Sequence, residues 1–268
     1  MSRNKTLFAL GTGILLFTGC DNLIEYSPYQ TGTGDLPQNL NTKVVASLEN
    51  KSSESFQPFR IAIIGDSHTY YDDFEDQISE LNKIDSIDFV IHTGDISLSG
   101  IHREFVWFND ITSSLRHPMT TIIGNHDFLS NGSLVFENMF GPLNFSFDYN
   151  NCHFVFFDDI ILEKNMEDPD FEWLHRALET DETITHVFLI SHIPPWSDPF
   201  SIGNRYLFYK ILEDQKVTLS IHGHTHSFFN GNRADCEVPF LVSGDATDRE
   251  IIILEVQQDT VLVNRKSF

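Results

Sequence analysis

From residue 59 onward the chain repeats one pattern. A short apolar, β-branched run ends in a polar turn, and an amphipathic stretch follows. Residues 59–64 are apolar at nearly every position, which fits a strand covered on both faces. They end in Gly65-Asp66-Ser67-His68. Phe74, Ile78, Leu81 and Ile84 then fall on one helical face. Residues 88–92 form a second strand-like run ending in Thr93-Gly94-Asp95, and Phe105, Phe108, Thr112 and Leu115 mark a second helix over 102–115. A third run, 119–123, ends in Gly124-Asn125-His126-Asp127. Three successive strands, each ending in a polar turn and joined by two helices, predict βαβ architecture with a parallel sheet.

The second half varies the theme. Residues 144–149 alternate, Asn150-Asn151 turns the chain, and 152–157 complete an antiparallel hairpin. A helix is expected over 170–178 and another over 204–212. Strand 186–190 ends in Ser191-His192, where Pro194-Pro195 stops it. Strand 217–221 ends in His222-Gly223-His224-Thr225-His226. The tail, with runs at 240–243, 250–256 and 260–263, is expected to be antiparallel. Trp107 and Trp173 sit in helical patterns and are expected in the core, and Trp196 at the rim of a cleft. His92, His153 and His222 read as structural, and His102, His117, His175 and His186 as surface residues.

The N-terminus differs. Arg3 and Lys5 precede an apolar run over 7–17, too short to span a bilayer. Thr18-Gly19-Cys20 follows. Small residues directly before a Cys resemble the lipobox of bacterial lipoproteins, with Phe17 where Leu is usual. That resemblance implies a signal peptide over 1–19, cleavage before Cys20 and lipidation of its thiol. The protein would be exported and anchored through Cys20 to a bacterial membrane, on its periplasmic or cell-surface face. Residues 20–55 are polar and read as a tether, with a short helix over 40–48 packed on the domain. A single domain is expected over 56–268.

Composition narrows the partners. A formal net charge of −22 disfavours long nucleic acids and anionic membrane surfaces as passive partners. It leaves open an anionic substrate, because a bound cation reverses the local field. Twenty-four Phe support a buried core. Besides Cys20 the chain holds Cys152 and Cys236, expected to be unpaired small hydrophobes.

The chemistry collects after the strands. Asp66, His68, Asp95, Asn125, His192, His224 and His226 all lie at strand ends, where parallel α/β sheets gather ligands. Each X-x-X pair, Asp66/His68 and His224/His226, would put two side chains on one side of an extended segment. Taken alone, Asp66 and Asp95 could cap helices, His68 and Asn125 could be turn residues, and His224/His226 could alternate on an edge strand. Together, seven donors with one bridging carboxylate supply four ligands to each of two metal ions. Oxygen plus imidazole suits Mn, Fe, Zn or Co rather than Ca. Two metals about 3.5–4 Å apart are a standard clamp for displacement at phosphorus.

Asp66-Ser-His68, Gly94-Asp95, Gly124-Asn-His-Asp127, Ser191-His192 and Gly223-His-Thr-His226, in this order, resemble the calcineurin-like metallophosphoesterase superfamily. The likeness covers residues 59–268. Gly94-Asp-Ile-Ser-Leu-Ser-Gly100, Glu104-Phe105, Phe140-Gly-Pro, Asn144-Phe-Ser-Phe and Glu172-Trp-Leu174 look most like its branch of cyclic-nucleotide phosphodiesterases. The Tyr ligand that purple acid phosphatases carry near the second block is missing, since Asp95 is followed by Ile-Ser-Leu. The resemblance implies a four-layer α/β/β/α sandwich with mixed sheets and a di-metal site at the carboxyl ends of the strands. It implies hydrolysis of a phosphomonoester or phosphodiester by in-line attack of hydroxide at a dinuclear centre of two divalent or trivalent ions (Mn, Fe or Zn). Asp66, His68 and His226 would hold one ion, Asn125, His192 and His224 the other, and Asp95 both. His126 would be the catalytic acid at the leaving oxygen, oriented by a hydrogen bond that its ring gives to Asp127. The alternative is a catalytically silent member of the fold that serves as a scaffold for a protein partner. Such a form would be expected to have lost ligands or His126, all of which are present here.

Overall fold

Alternate residues of the apolar runs enter two different cores, which explains why the runs are continuous. The computed structural model describes residues 30–31, 34, 36–53 and 55–268. The expected signal peptide (1–19) and Cys20 lie outside the described residues, as does most of the N-terminal half of the expected tether. Among the described residues, no helix is long and apolar enough to cross a membrane.

One sheet contains β1 (Phe59–Ile64), β2 (Phe89–His92), β3 (Met119–Thr121), β10 (Glu250–Val256) and β11 (Val261–Ser267), in the order β11-β10-β1-β2-β3. β1, β2 and β3 are parallel, and β10 is antiparallel to β1 and β11. The second sheet contains β4 (Phe145–Tyr149), β5 (Cys152–Phe156), β6 (His186–Ile190), β7 (Leu219–His222), β8 (Phe229–Arg233) and β9 (Cys236–Val242), in the order β4-β5-β6-β7-β9-β8. Its four central strands are parallel, with antiparallel β4 and β8 at the edges.

Phe59, Ile61 and Ile63 point between the sheets and meet Phe154, Phe156, Phe188 and Ile190. Ala62 and Ile64 face the other way, toward Phe74, Ile78, Phe105 and Phe108. Those last residues belong to α2 (Tyr71–Leu81) and α3 (His102–Thr112), which cover the outer face together with α4 (Gly132–Phe140). In the second sheet Val155 and Leu189 turn outward onto Leu174 of α5 (Phe171–Ala177) and Phe208 of α6 (Ile202–Asp214). The layers are therefore α/β/β/α, as the resemblance implied.

Several expectations need correction. The tail is not one antiparallel region. β9 pairs in parallel with β7, while β10 and β11 cross to the other sheet. Strand alternation reports one solvated face, not the direction of the neighbouring strand. α4 and β8 were not anticipated. Trp107 is 39% exposed rather than in the core, with the Arg103 guanidinium over its ring. His102 and His186 are buried, and His186 Nε2 bonds the Gln257 carbonyl at 2.8 Å. Cys152 and Cys236 are free and buried, as expected.

The helix expected within the tether is α1 (Leu40–Lys51), three residues longer than anticipated. It docks across the outer edge of β3. Buried Asn41 supplies what a neighbouring strand would. Its Nδ2 donates to Thr121 O at 2.8 Å and its Oδ1 accepts from Thr121 N at 3.0 Å. Asn41→Ala leaves both backbone groups buried without partners, which costs about 1–3 kcal/mol. The expected result is a lower urea midpoint at unchanged slope.

Candidate metal centre

The carboxyl ends of β1, β2, β3, β6 and β7 all arrive at one edge of the sandwich. Their loops are stitched together by backbone bonds: Asp66 N to Gly94 O at 3.0 Å, His68 N to Asp95 O at 3.1 Å, and Gly223 N to His192 O at 3.0 Å. The two sheets are joined here as well. Thr93, after β2, shares a 2.8 Å hydrogen bond with Ser243, after β9.

All seven expected ligands meet at this edge, though not by the geometry the sequence suggested. Asp66 (φ 48°), His224 (71°) and His226 (52°) are left-handed, and so is Asp95 (57°). The X-x-X pairs therefore do not lie along extended segments; tight turns aim each side chain separately. Non-glycine residues in this region carry a conformational cost and gather at functional sites. Gly124 explains how Asp95 fits. A Cβ there would stand 2.1 Å from Asp95 Oδ1 and 2.3 Å from its backbone nitrogen.

The donor atoms form two groups that share Asp95. His68, Asp95 and His226 are one; Asp95, His192 and His224 are the other; within each, the atoms lie within 4.8 Å of one another. Asp66 joins the first, with Oδ1 3.4 Å from His226 Nε2. Asn125 joins the second, with Oδ1 2.9 Å from His224 Nδ1 and 3.2 Å from His192 Nε2. Asn125 thus faces two histidines, one of which also meets Asp95.

The far nitrogens are held in turn. His192 Nδ1 donates to the Thr93 carbonyl at 2.8 Å, leaving Nε2 toward Asp95 Oδ2 at 3.2 Å. His226 Nδ1 faces Asp245 Oδ2 at 3.3 Å. Such outer contacts fix which ring nitrogen can ligate.

Electrostatics tests whether these residues suit cations. Burial pushes Asp66 well above the usual carboxylate range; His192 opposes this and Asp95 adds to it. Burial also pushes Asp95 upward, but the charge and hydrogen bond of His192 outweigh it, and Asp95 ends below the usual range. Burial disfavours a charged His192, yet Asp95 and Asp66 lift it to about 10. The negative potential that holds a proton on His192 is the potential that would hold a metal ion. Both ring nitrogens of His68 are buried without a hydrogen-bond partner, an arrangement native structures avoid unless a ligand completes it. The residues present fit metal ions.

A family model described as calcineurin-like phosphoesterase matches residues 59–228. The chain belongs to the calcineurin-like phosphoesterase family. Its members use divalent metal ions to hydrolyse phosphoesters, in keeping with the donor groups above. The chain is 23% identical, over 63% of its length and 75% of the relative's, to a probable cyclic nucleotide phosphodiesterase of Xenorhabdus bovienii. It is 25% identical, over 55% of its length, to the 3',5'-cyclic adenosine monophosphate phosphodiesterase CpdA of Pseudomonas aeruginosa, of which it spans only 57%. In fold it is similar to the purple acid phosphatase PPD1 of yellow lupin (Lupinus luteus): TM-score 0.62, 15% identity, 80% of this chain and 52% of that one. GAP50 of Plasmodium, the anchor in the inner membrane complex, gives 0.59 at 13% identity, over 78% and 84% of the two chains.

His126 lies outside both donor groups. Its backbone N–H donates to Asp95 Oδ1 at 3.0 Å, and its ring is half-buried beside His68, 4.8 Å between centroids. The expected Asp127–His126 hydrogen bond is not made. His126 Nδ1 instead donates to the Leu98 carbonyl at 2.8 Å. Asp127 is fully buried and occupied elsewhere. It accepts from Ser97 N and Oγ at 2.8 Å each, from Gly124 N at 2.9 Å and from Ile96 N at 3.3 Å. Burial, reinforced by Asp95, raises its pKa to about 7.

Sequence reasoning missed three acids here. Asp245 follows β9 in the same strand-end manner as the expected donors, so its position was a usable signal. Asp159 follows β5; both its oxygens accept from Ile193 N, at 3.2 and 3.0 Å, which fixes the corner carrying His192. Glu163, whose Oε1 accepts from Asn125 Nδ2 at 3.2 Å, has no such signal.

Asp127→Asn tests the clamp. Three of its four partners are backbone N–H groups divided between its two oxygens, so an amide must turn its NH2 toward at least one of them. The expected loss is about 1–3 kcal/mol in denaturant unfolding, with a matching loss of His126 order in NMR spectra of the imidazole.

Proposed function

We propose that this chain hydrolyses a phosphomonoester or phosphodiester bond at a dinuclear metal centre. Asp66, His68 and His226 would hold one ion, Asn125, His192 and His224 the other, and Asp95 would contact both. The observation that carries this reading is the division of buried imidazole and carboxylate atoms into two groups sharing one carboxylate. Bound ions would acidify a water for in-line attack and offset the charge on the phosphoryl oxygens.

The chain's own residues supply the rest. Leu98 O fixes the Nδ1 proton of His126, so Nε2 is the atom that gives a proton to the departing oxygen. Asp127 acts on this step indirectly. It ties Gly124 to Ile96 and Ser97, and so fixes the loop whose next carbonyl, Leu98 O, holds the ring. Both curated relatives are named as cyclic nucleotide phosphodiesterases, which makes a diester the first substrate class to test. We also propose export and lipid attachment at Cys20, on the strength of the basic, apolar and small-residue order of residues 3–20.

Purified protein loaded in turn with Mn, Zn or Fe should hydrolyse an aryl phosphodiester or the matching monoester, and a chelator should abolish the activity. His126→Ala should lower kcat by about 10²–10⁴-fold with bound metal unchanged. Full turnover in that variant would remove the acid assignment. Loaded wild type that hydrolyses no phosphoester would favour the silent scaffold. In cells, labelled fatty acid should enter the wild-type chain and not Cys20→Ala.

A further inference from the structure

We propose, resting on the dinuclear reading above, that Glu163 is a positioning residue that orients the amide of Asn125. The two ends of an Asn amide have nearly the same shape, and only the oxygen can ligate a metal ion. Something must decide which end faces His192 and His224. Glu163 can decide it, because a carboxylate only accepts hydrogen bonds. Its Oε1 lies 3.2 Å from Asn125 Nδ2. Turning the amide over would set Asn125 Oδ1 against Glu163 Oε1, two acceptors face to face, and would present NH2 to the metal donors.

The segment that carries Glu163 is built to hold still. Asn165 N bonds Leu162 O at 3.1 Å and Met166 N bonds Ile161 O at 2.9 Å. Lys164, next to Glu163, pairs with buried Asp158 and lies 5.4 Å from the centre of the Phe128 ring. Phe128 belongs to the same turn as Asn125, so side chains at 163 and 164 grip that turn at two points. Glu163 Oε2 is buried without a partner. A carboxylate oxygen left so is costly, and a neutral tether would avoid that cost. An acceptor on both oxygens gives the amide one orientation only.

The test is manganese(II) binding, followed by titration calorimetry and by the electron paramagnetic resonance signal of a coupled pair of ions. Glu163→Ala should weaken the second equivalent by about 10–100-fold and replace the coupled signal by that of an isolated ion at limiting Mn. The unfolding midpoint of the metal-free variant should match wild type. Glu163→Gln, which can still present an oxygen to Asn125 Nδ2, should stay within a few-fold of wild type. In an Asn125→Asp background both ends of the side chain are oxygen, and Glu163→Ala should cause no further loss. Unchanged affinities in Glu163→Ala would overturn the proposal, as would a Gln variant as weak as Ala or a loss that persists beside Asn125→Asp. A wild-type chain that binds a single equivalent would instead remove the dinuclear reading, and this proposal with it.

Discussion

Asp95 is a carboxylate that stays ionised at 1% exposure. Burying such a charge without partners is prohibitive. The partners come from two sides: His192 Nε2 at 3.2 Å from the second sheet, and the N–H of His126 at 3.0 Å from the β3 loop. The contact with His192 forms only when the two sheets stack with their loops at one edge. The aromatic core between the sheets is therefore a condition of the site. Phe154 and Phe188 stack 4.9 Å apart on neighbouring strands, and Phe59 and Phe89 pack against Phe154 from across the sandwich. Those contacts set the spacing that brings His192 to Asp95.

The strands and the seven residues that meet at their ends were legible in the sequence for one reason. A buried strand is a local apolar run, and polar side chains crowded at its end are a local anomaly. What was illegible is non-local. The parallel pairing of β9 with β7 is fixed by which edge remains open, and alternation carries no record of that. Asp127 looked like a partner for its neighbour His126, but adjacent residues in a turn point apart. Its carboxylate found Ser97, thirty residues back, where four donors converge. Glu163 has no anomaly around it. Its meaning comes only from the amide it meets, 38 positions away. Asp245 could have been read by the rule that found the others, had β9 been followed to its end.

Histidines fall into two chemical classes here, and their surroundings separate them. His92 and His222 are the last residues of β2 and β7, directly before the loops that bear the expected donors. They are fully buried. Burial, together with the charge of His192, drops both to about 3. His92 meets Ser67 Oγ at 3.1 Å, and His222 lies between Ser191 Oγ at 3.2 Å and Ser220 Oγ at 2.8 Å. Hydroxyls can donate or accept, so they satisfy a neutral ring and attract no proton. His192 and His226 face carboxylates instead. The contrast matters because protonated rings behind the site would compete with cations for Asp66 and Asp95. Neutral imidazoles braced by serines keep the strand ends rigid without adding positive charge, and the negative potential stays concentrated where the two donor groups meet.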